Sequence, residues 1–163
     1  MNYPEKANLG TPAFDQVFRD FLVQAKVQTY ASVDPSKRDL ADGGVELVFQ
    51  QGNLLYRDRY YGGILFHGQE VVFLEGTPIW SMVYHGYTPD SKEPSTEAID
   101  LLKFALRSVR SDNPYRGPNQ VELHGLLYEC RPTGTLGRFE GVETIKRVDE
   151  LLIRLVFAGG WIL

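Results

Sequence analysis

Apolar side chains recur every three or four positions between Phe14 and Ala25, at Phe14, Phe18, Phe21, Leu22 and Ala25. That spacing places them on one face of a helix running to about Thr29. The stretch before it, MNYPEKANLGTP, has two prolines and no such period, and reads as an arm over residues 1–12. Pro35 breaks the helical pattern, and Asp42-Gly43-Gly44 offers turn chemistry. From Val45 the pattern becomes strand-like: VELVFQ and LLYRDRY flank Gln-Gly-Asn, and EVVFL and PIWSMVYHG flank Glu75-Gly76. Two hairpins of an antiparallel meander are predicted. After a polar linker, a cap at Ser95 or Thr96 opens a second helix with Ile99, Leu102, Leu106 and Val109 at helical spacing. The proline-bracketed loop SDNPYRGPNQ follows, and VELHGLLYECR, VETIKRV and ELLIRLVFAGGWI then read as strands.

The order helix then meander occurs twice, and so do short phrases. FHGQE at 66–70 returns as FEGVE at 139–143. Leu54-Leu55-Tyr56 matches Leu126-Leu127-Tyr128 at an offset of 72, and Gly62 matches Gly134. At an offset of 73, Phe66, Gly68, Glu70, Val83 and Gly86 meet Phe139, Gly141, Glu143, Val156 and Gly159, and Phe21 aligns with Phe104 on the helices. The expected fold is a single α+β domain over 1–163, a pseudo-symmetric duplication of a helix-plus-antiparallel-meander unit with halves at 13–88 and 95–163. Two main helices would pack on a mostly antiparallel sheet of seven or eight strands. Two copies are too few for a solenoid. Alternation puts Trp80, Met82 and Tyr84 on the inner face with Ile153, Leu155 and Phe157, leaving Ser81, His85, Arg154 and Ala158 on the other.

Composition narrows the function classes. Over 163 residues, 43% hydrophobic, 23% charged and 12% aromatic content describes a chain able to bury a core. A net charge of −4 gives no positive field for a phosphate backbone, so direct nucleic-acid binding is not expected. The lone Cys130 can form no internal disulfide, and the first twenty residues lack the apolar run of a signal peptide, so a cytoplasmic location is expected. LLIRLVFAGGWIL is short for a membrane span and carries Arg154, so it reads as a buried strand.

Several groups are candidates for chemistry. Glu70 and Glu143 occupy matched positions, and two equivalent carboxylates meeting in a cleft between the halves can divide acid and base work. Capping of backbone amides, or pairing with arginine, is the structural alternative. Arg57 stands among Tyr56, Tyr60 and Tyr61, where a guanidinium beside rings can hold an anion or stack on a planar ligand, or simply bridge strands. Arg116 and Tyr115 sit on the NPYRGP loop, a ligand contact or a fixed crossover between halves. Trp80, Met82 and Tyr84 can line an apolar pocket or be plain core. His67, His85, His124 and Cys130 show no metal-ligand spacing, and no nucleotide phosphate cradle occurs, so no metal or cofactor is expected. Ser81 and His85 lie too far apart along one strand to act as a dyad.

The phrases LLYRDRYYGGILFHGQEVVFLEGTPIWSMVYHGY, NPYRGP and GRFEGVETI, closing on FAGG, resemble a bacterial family of uncharacterised domains found alone or joined behind repressor-like helix-turn-helix heads. The likeness runs from the first helix onward, while RVDELLIRLVFAGG departs from the family in lacking a glycine turn and tyrosines. It implies a regulatory or sensing module. The expected function is therefore a non-catalytic domain, related to transcriptional-regulator effector domains, that binds a small molecule or a protein partner. Tyr56, Arg57, Glu70, Trp80, Tyr84, Arg116 and Glu143 are its candidate ligand-binding residues. A small hydrolase or isomerase using Glu70 or Glu143 as general acid or base is the alternative, and self-association through an exposed apolar sheet face, giving a homodimer, is a third reading.

Overall fold

The structure, a computed structural model, describes residues 9–29, 37–89 and 92–162. Pro35 and most of the expected N-terminal arm lie outside the described residues. Thr11 caps the first helix, α1 (Pro12–Gln28), its hydroxyl accepting from the Phe14 amide at 3.3 Å, with Pro12 preset for the first turn. Ser95, of the two candidates, caps the second, α2 (Thr96–Arg107), accepting from the Ala98 amide at 3.3 Å. Both helices bury an apolar stripe: Phe14, Phe18, Phe21, Leu22 and Ala25 on α1, and Ala98, Leu101, Leu102, Ala105 and Leu106 on α2. Phe104 is 42% exposed while Phe21 is buried, so the alignment of those two phenylalanines does not carry into the structure.

Nine strands follow in chain order: β1 (Lys37–Asp39), β2 (Val45–Gln51), β3 (Leu54–Gly62), β4 (Leu65–Leu74), β5 (Thr77–Tyr87), β6 (Gln120–Leu123), β7 (Leu126–Thr135), β8 (Arg138–Arg147) and β9 (Glu150–Trp161). They form one sheet of order β1-β2-β3-β4-β5-β9-β8-β7-β6, antiparallel at every pairing. The fold is thus α+β with two helices and a nine-stranded sheet. The count exceeds the expected seven or eight for two reasons. Lys37–Asp39 adds an edge strand, and VELHGLLYECR is broken at His124-Gly125. Both residues of that turn have positive φ, 52° and 74°, as do Glu75 and Gly76 at 51° and 78°. This is the conformation that closes a two-residue hairpin without splaying its strands.

The two meanders join at β5 and β9, where Tyr84 lies directly opposite Phe157, Met82 opposite Gly159 and Gly86 opposite Leu155. The rings of Tyr84 and Phe157 each lie over a glycine of the neighbouring strand. A Cβ on Gly68 would come within 2.1 Å of the Tyr84 ring, and one on Gly141 within 2.3 Å of Phe157. Trp80, Met82, Tyr84, Ile153, Leu155 and Phe157 are buried under the helices, as the alternation predicts. Ser81, Val83 and His85 face the other way, and Val83 is 50% exposed. Among the described residues, no helix is long and apolar enough to cross a membrane.

Candidate functional site

Strand alternation carries an unusual load to the inner face. Tyr56 and Asp58 on β3, Glu70 on β4 and Tyr84 on β5 all point toward the helices, as do Tyr128 and Cys130 on β7 and Glu143 on β8. Asp58 and Glu70 are cross-strand partners, and so are Cys130 and Glu143. Two cations reach them. Lys26, one helical step beyond Leu22, donates to Glu70 Oε2. Arg116, from the loop after α2, donates through Nε and Nη2 to the two oxygens of Glu143 at 3.1 and 3.0 Å. Its Nη1 stands 4.0 Å from Glu70 Oε1. One guanidinium therefore lies between the two glutamates and joins the meanders.

Two tyrosine hydroxyls complete the contacts of the acids. Tyr128 donates to Glu143 Oε2 at 2.7 Å and accepts from the Gly117 amide at 3.0 Å. Tyr84 donates to Asp58 Oδ1 at 2.8 Å, and the Arg116 guanidinium lies over its ring at 5.5 Å. The side chains of Glu70 and Glu143 are 3% and 1% exposed. The expected cleft between the halves is filled by an ionic network, because a buried carboxylate requires a charged or hydrogen-bonding partner.

Electrostatics divides these groups. Burial, with the Glu70 charge beside it, pushes the Asp58 carboxyl up to about 7. Burial also draws the Lys26 ammonium below its ordinary value, against the pull of Glu70. For Arg116, burial acts downward but is outweighed by the Glu143 carboxylate, which holds the guanidinium charged. Burial raises the tyrosine hydroxyls at 56, 84 and 128 well above their ordinary value, and pushes the Cys130 thiol up to about 12. With Asp58 protonated, two cations face two carboxylates and the network is neutral.

The seven sequence candidates therefore divide three ways. Glu70, Tyr84, Arg116 and Glu143 meet in the network, and Tyr56 borders it, the Lys26 ammonium lying 5.9 Å from the centre of its ring. Trp80 lies in the apolar core, where its Nε1 donates to the Leu136 carbonyl at 3.1 Å and its ring stacks on Phe139 at 5.6 Å. Arg57 is on the opposite face, its guanidinium 4.7 Å above the Phe73 ring. It does not join Tyr56 or Glu70, because adjacent residues on a strand point to opposite sides. Sequence reasoning missed Lys26, Asp58 and Tyr128. For Lys26 and Tyr128 the signals were present: Phe14, Phe18, Leu22 and Lys26 form one series of four-residue steps, and Tyr128 matches Tyr56 at the offset of 72.

The other face of the sheet is open. A groove of 590 Å³ lies over the junction of β5 and β9, floored by Val83, Val142, Val156 and Ala158, with Arg131 and Glu140 at its rim. The NPYRGP loop contributes Asn113, Tyr115, Gly117 and Pro118 to a second, more polar hollow of 490 Å³ that also involves Arg19. Two histidines, 67 and 85, stand side by side on the open face with Nδ1 atoms 3.1 Å apart, a proximity that their spacing in sequence conceals.

A family model described as a domain of unknown function, DUF5680, matches residues 58–162. Neither a curated protein nor a solved structure matches the chain.

Proposed function

Because the chain belongs to the DUF5680 family, whose description carries no activity, we propose its role from geometry: a non-catalytic binding module that receives a small amphipathic molecule on the open sheet face. The observation that carries this reading is the 590 Å³ groove over the β5–β9 junction. Its volume lies in the range of ligand sites, and its aliphatic floor with one cationic and one anionic rim residue suits an apolar body with a polar end. The buried network supports the fold beneath it. Glu70 and Glu143 are already neutralised by Lys26 and Arg116, which leaves the acid–base alternative without a free carboxylate at the positions it needs.

We read the two meanders as copies of one ancestral unit. The pairing of Tyr84 with Phe157, residues matched at the offset of 73, and the equivalent glycines 68 and 141 beneath their rings support this. The groove then lies across the junction of the copies, where a ligand touches both. The likeness to domains carried behind repressor-like helix-turn-helix heads gives such binding a destination, a change passed to a DNA-binding partner.

The test uses 8-anilino-1-naphthalenesulfonate, an aromatic anion, as the probe. Saturable fluorescence enhancement is expected with the native protein, and its loss in Val83→Asp, which charges the floor at a half-exposed position. An equal response from both proteins, with both folded by circular dichroism, overturns the reading. A positive result justifies a thermal-shift screen of amphipathic carboxylates, since a ligand of the native form raises the melting temperature.

A further inference from the structure

We propose that His67 and His85 form a two-histidine site for a divalent transition metal on the open face of the sheet. The residues are directly opposed on β4 and β5, so the backbone of two paired strands fixes the separation of their Cβ atoms. Their Nδ1 atoms are 3.1 Å apart while the ring centroids are 4.5 Å apart. The nitrogens are closer than the ring centres, so the two Nδ1 edges converge.

Convergence at this distance has a chemical meaning. Two imidazole nitrogens each about 2.0–2.1 Å from one zinc ion lie about 3.3 Å apart at a tetrahedral angle and about 2.9 Å apart at a right angle. The observed separation falls between these values, so one metal can be held with little movement of either ring. Without metal, the contact is a hydrogen bond from the Nδ1–H of one ring to the bare Nδ1 of the other; with metal, both Nδ1 lone pairs go to the ion and that hydrogen moves to Nε2 of its own ring.

The surroundings suit a site with open coordination positions. His67 is exposed and His85 partly so, giving an ion an entry path. Tyr61 lies opposite His67 on β3, Tyr87 follows His85 on the same face, and Val156 opposes His85 on β9. No group of three or more His, Cys, Asp or Glu placed to hold a metal occurs among the described residues. The protein thus supplies two ligands, and water or a small anion completes the shell. Cys130 does not compete, since it is buried on the inner face with its thiol pushed up to about 12. Imidazole donors select copper, nickel or zinc over magnesium and calcium, with copper bound most tightly. His85 also lines the 590 Å³ groove, so the two sites share that residue, and titration with metal alone reads this one without a groove ligand.

The experiment is calorimetric titration of the tag-free protein with Zn²⁺, Ni²⁺ and Cu²⁺, separately, in a non-chelating buffer. One saturable site per chain is expected, tightest for Cu²⁺. His67→Ala and His85→Ala should each weaken it by about tenfold or more, and His124→Ala, which alters an exposed histidine in the β6–β7 turn, should leave it unchanged. Unchanged melting temperatures in the absence of metal establish that all three variants are folded. An absence of saturable binding in the native protein overturns the proposal. So does binding that survives both substitutions, or binding abolished by His124→Ala.

Discussion

The two meanders place a glutamate at the same point of the inner face and surround it differently. In the second, Glu143 receives two hydrogen bonds from Arg116 and one from Tyr128, and its cross-strand neighbour is the uncharged Cys130. In the first, Glu70 has Lys26 and a more distant Arg116, and its cross-strand neighbour is Asp58, another carboxyl. One site pairs its carboxylate with a guanidinium through two hydrogen bonds. The other holds two acids beside one close cation, and Asp58, its carboxyl pushed up to about 7 by burial and the Glu70 charge, is the group that titrates. Matched strand positions therefore do not imply matched chemistry: alongside the different cations, Asp58 against Cys130 separates an ion pair from a titratable cluster.

The largest effect should come from Arg116, the residue common to both sites. Arg116→Ala leaves Glu143 buried with only Tyr128 and weakens the setting of Glu70, and urea denaturation should register a loss of about 3–5 kcal/mol. A loss below 1 kcal/mol would mean that water enters and that the network is not sealed.

The next largest effect distinguishes the two sites by pH. The folded value of Asp58 lies above that of an unfolded aspartate, so between about pH 4 and pH 7 the folded protein holds a proton that the unfolded chain has released. The resulting stabilisation is full at acid pH and is lost as pH rises through about 7. Asp58→Asn preserves an acceptor for Tyr84 and should remove about 2 kcal/mol of the stability difference between pH 5 and pH 7. Cys130→Asp should introduce a slope of the same sign into the second site. If the slope is unchanged in Asp58→Asn, another group owns it. The smallest effect tests where the halves are alike: Thr11→Ala and Ser95→Ala should each cost about 1 kcal/mol through loss of a helix cap, measured by thermal unfolding.

The turns at Asp42-Gly43-Gly44, Gln51-Gly52-Asn53 and Glu75-Gly76, both helices, the assignment of sheet faces and four of the network residues were legible in the sequence, because each rests on local chemistry or on a period; the turn at His124-Gly125 was not. Asp58 was not. In YRDRYYGG it reads as one charge among several on a solvated strand, and only the pairing of β3 with β4 and β2 turns it inward and Arg57 outward. Lys26 reads as a cation placed to complement the end of α1, a role that hides its burial. The His67–His85 pair depends on the register across the β4–β5 hairpin, which holds a bulge between Val72 and Phe73. A one-residue change of register would send one ring to the opposite face.

The junction of β5 with β9 joins residues far apart in sequence, from 67 positions (Tyr87 with Arg154) to 81 (Trp80 with Trp161), whereas the other sheet pairings link strands that are consecutive along the chain. Each meander can zip from its own hairpins in microseconds, but uniting them requires closure of a long loop before any ladder bond rewards it. The slow step of folding should therefore be the docking of two preformed sheets. Until it occurs, β5 and β9 are bare edges open to the same strand of another molecule, which makes domain-swapped dimers the characteristic misfolded product.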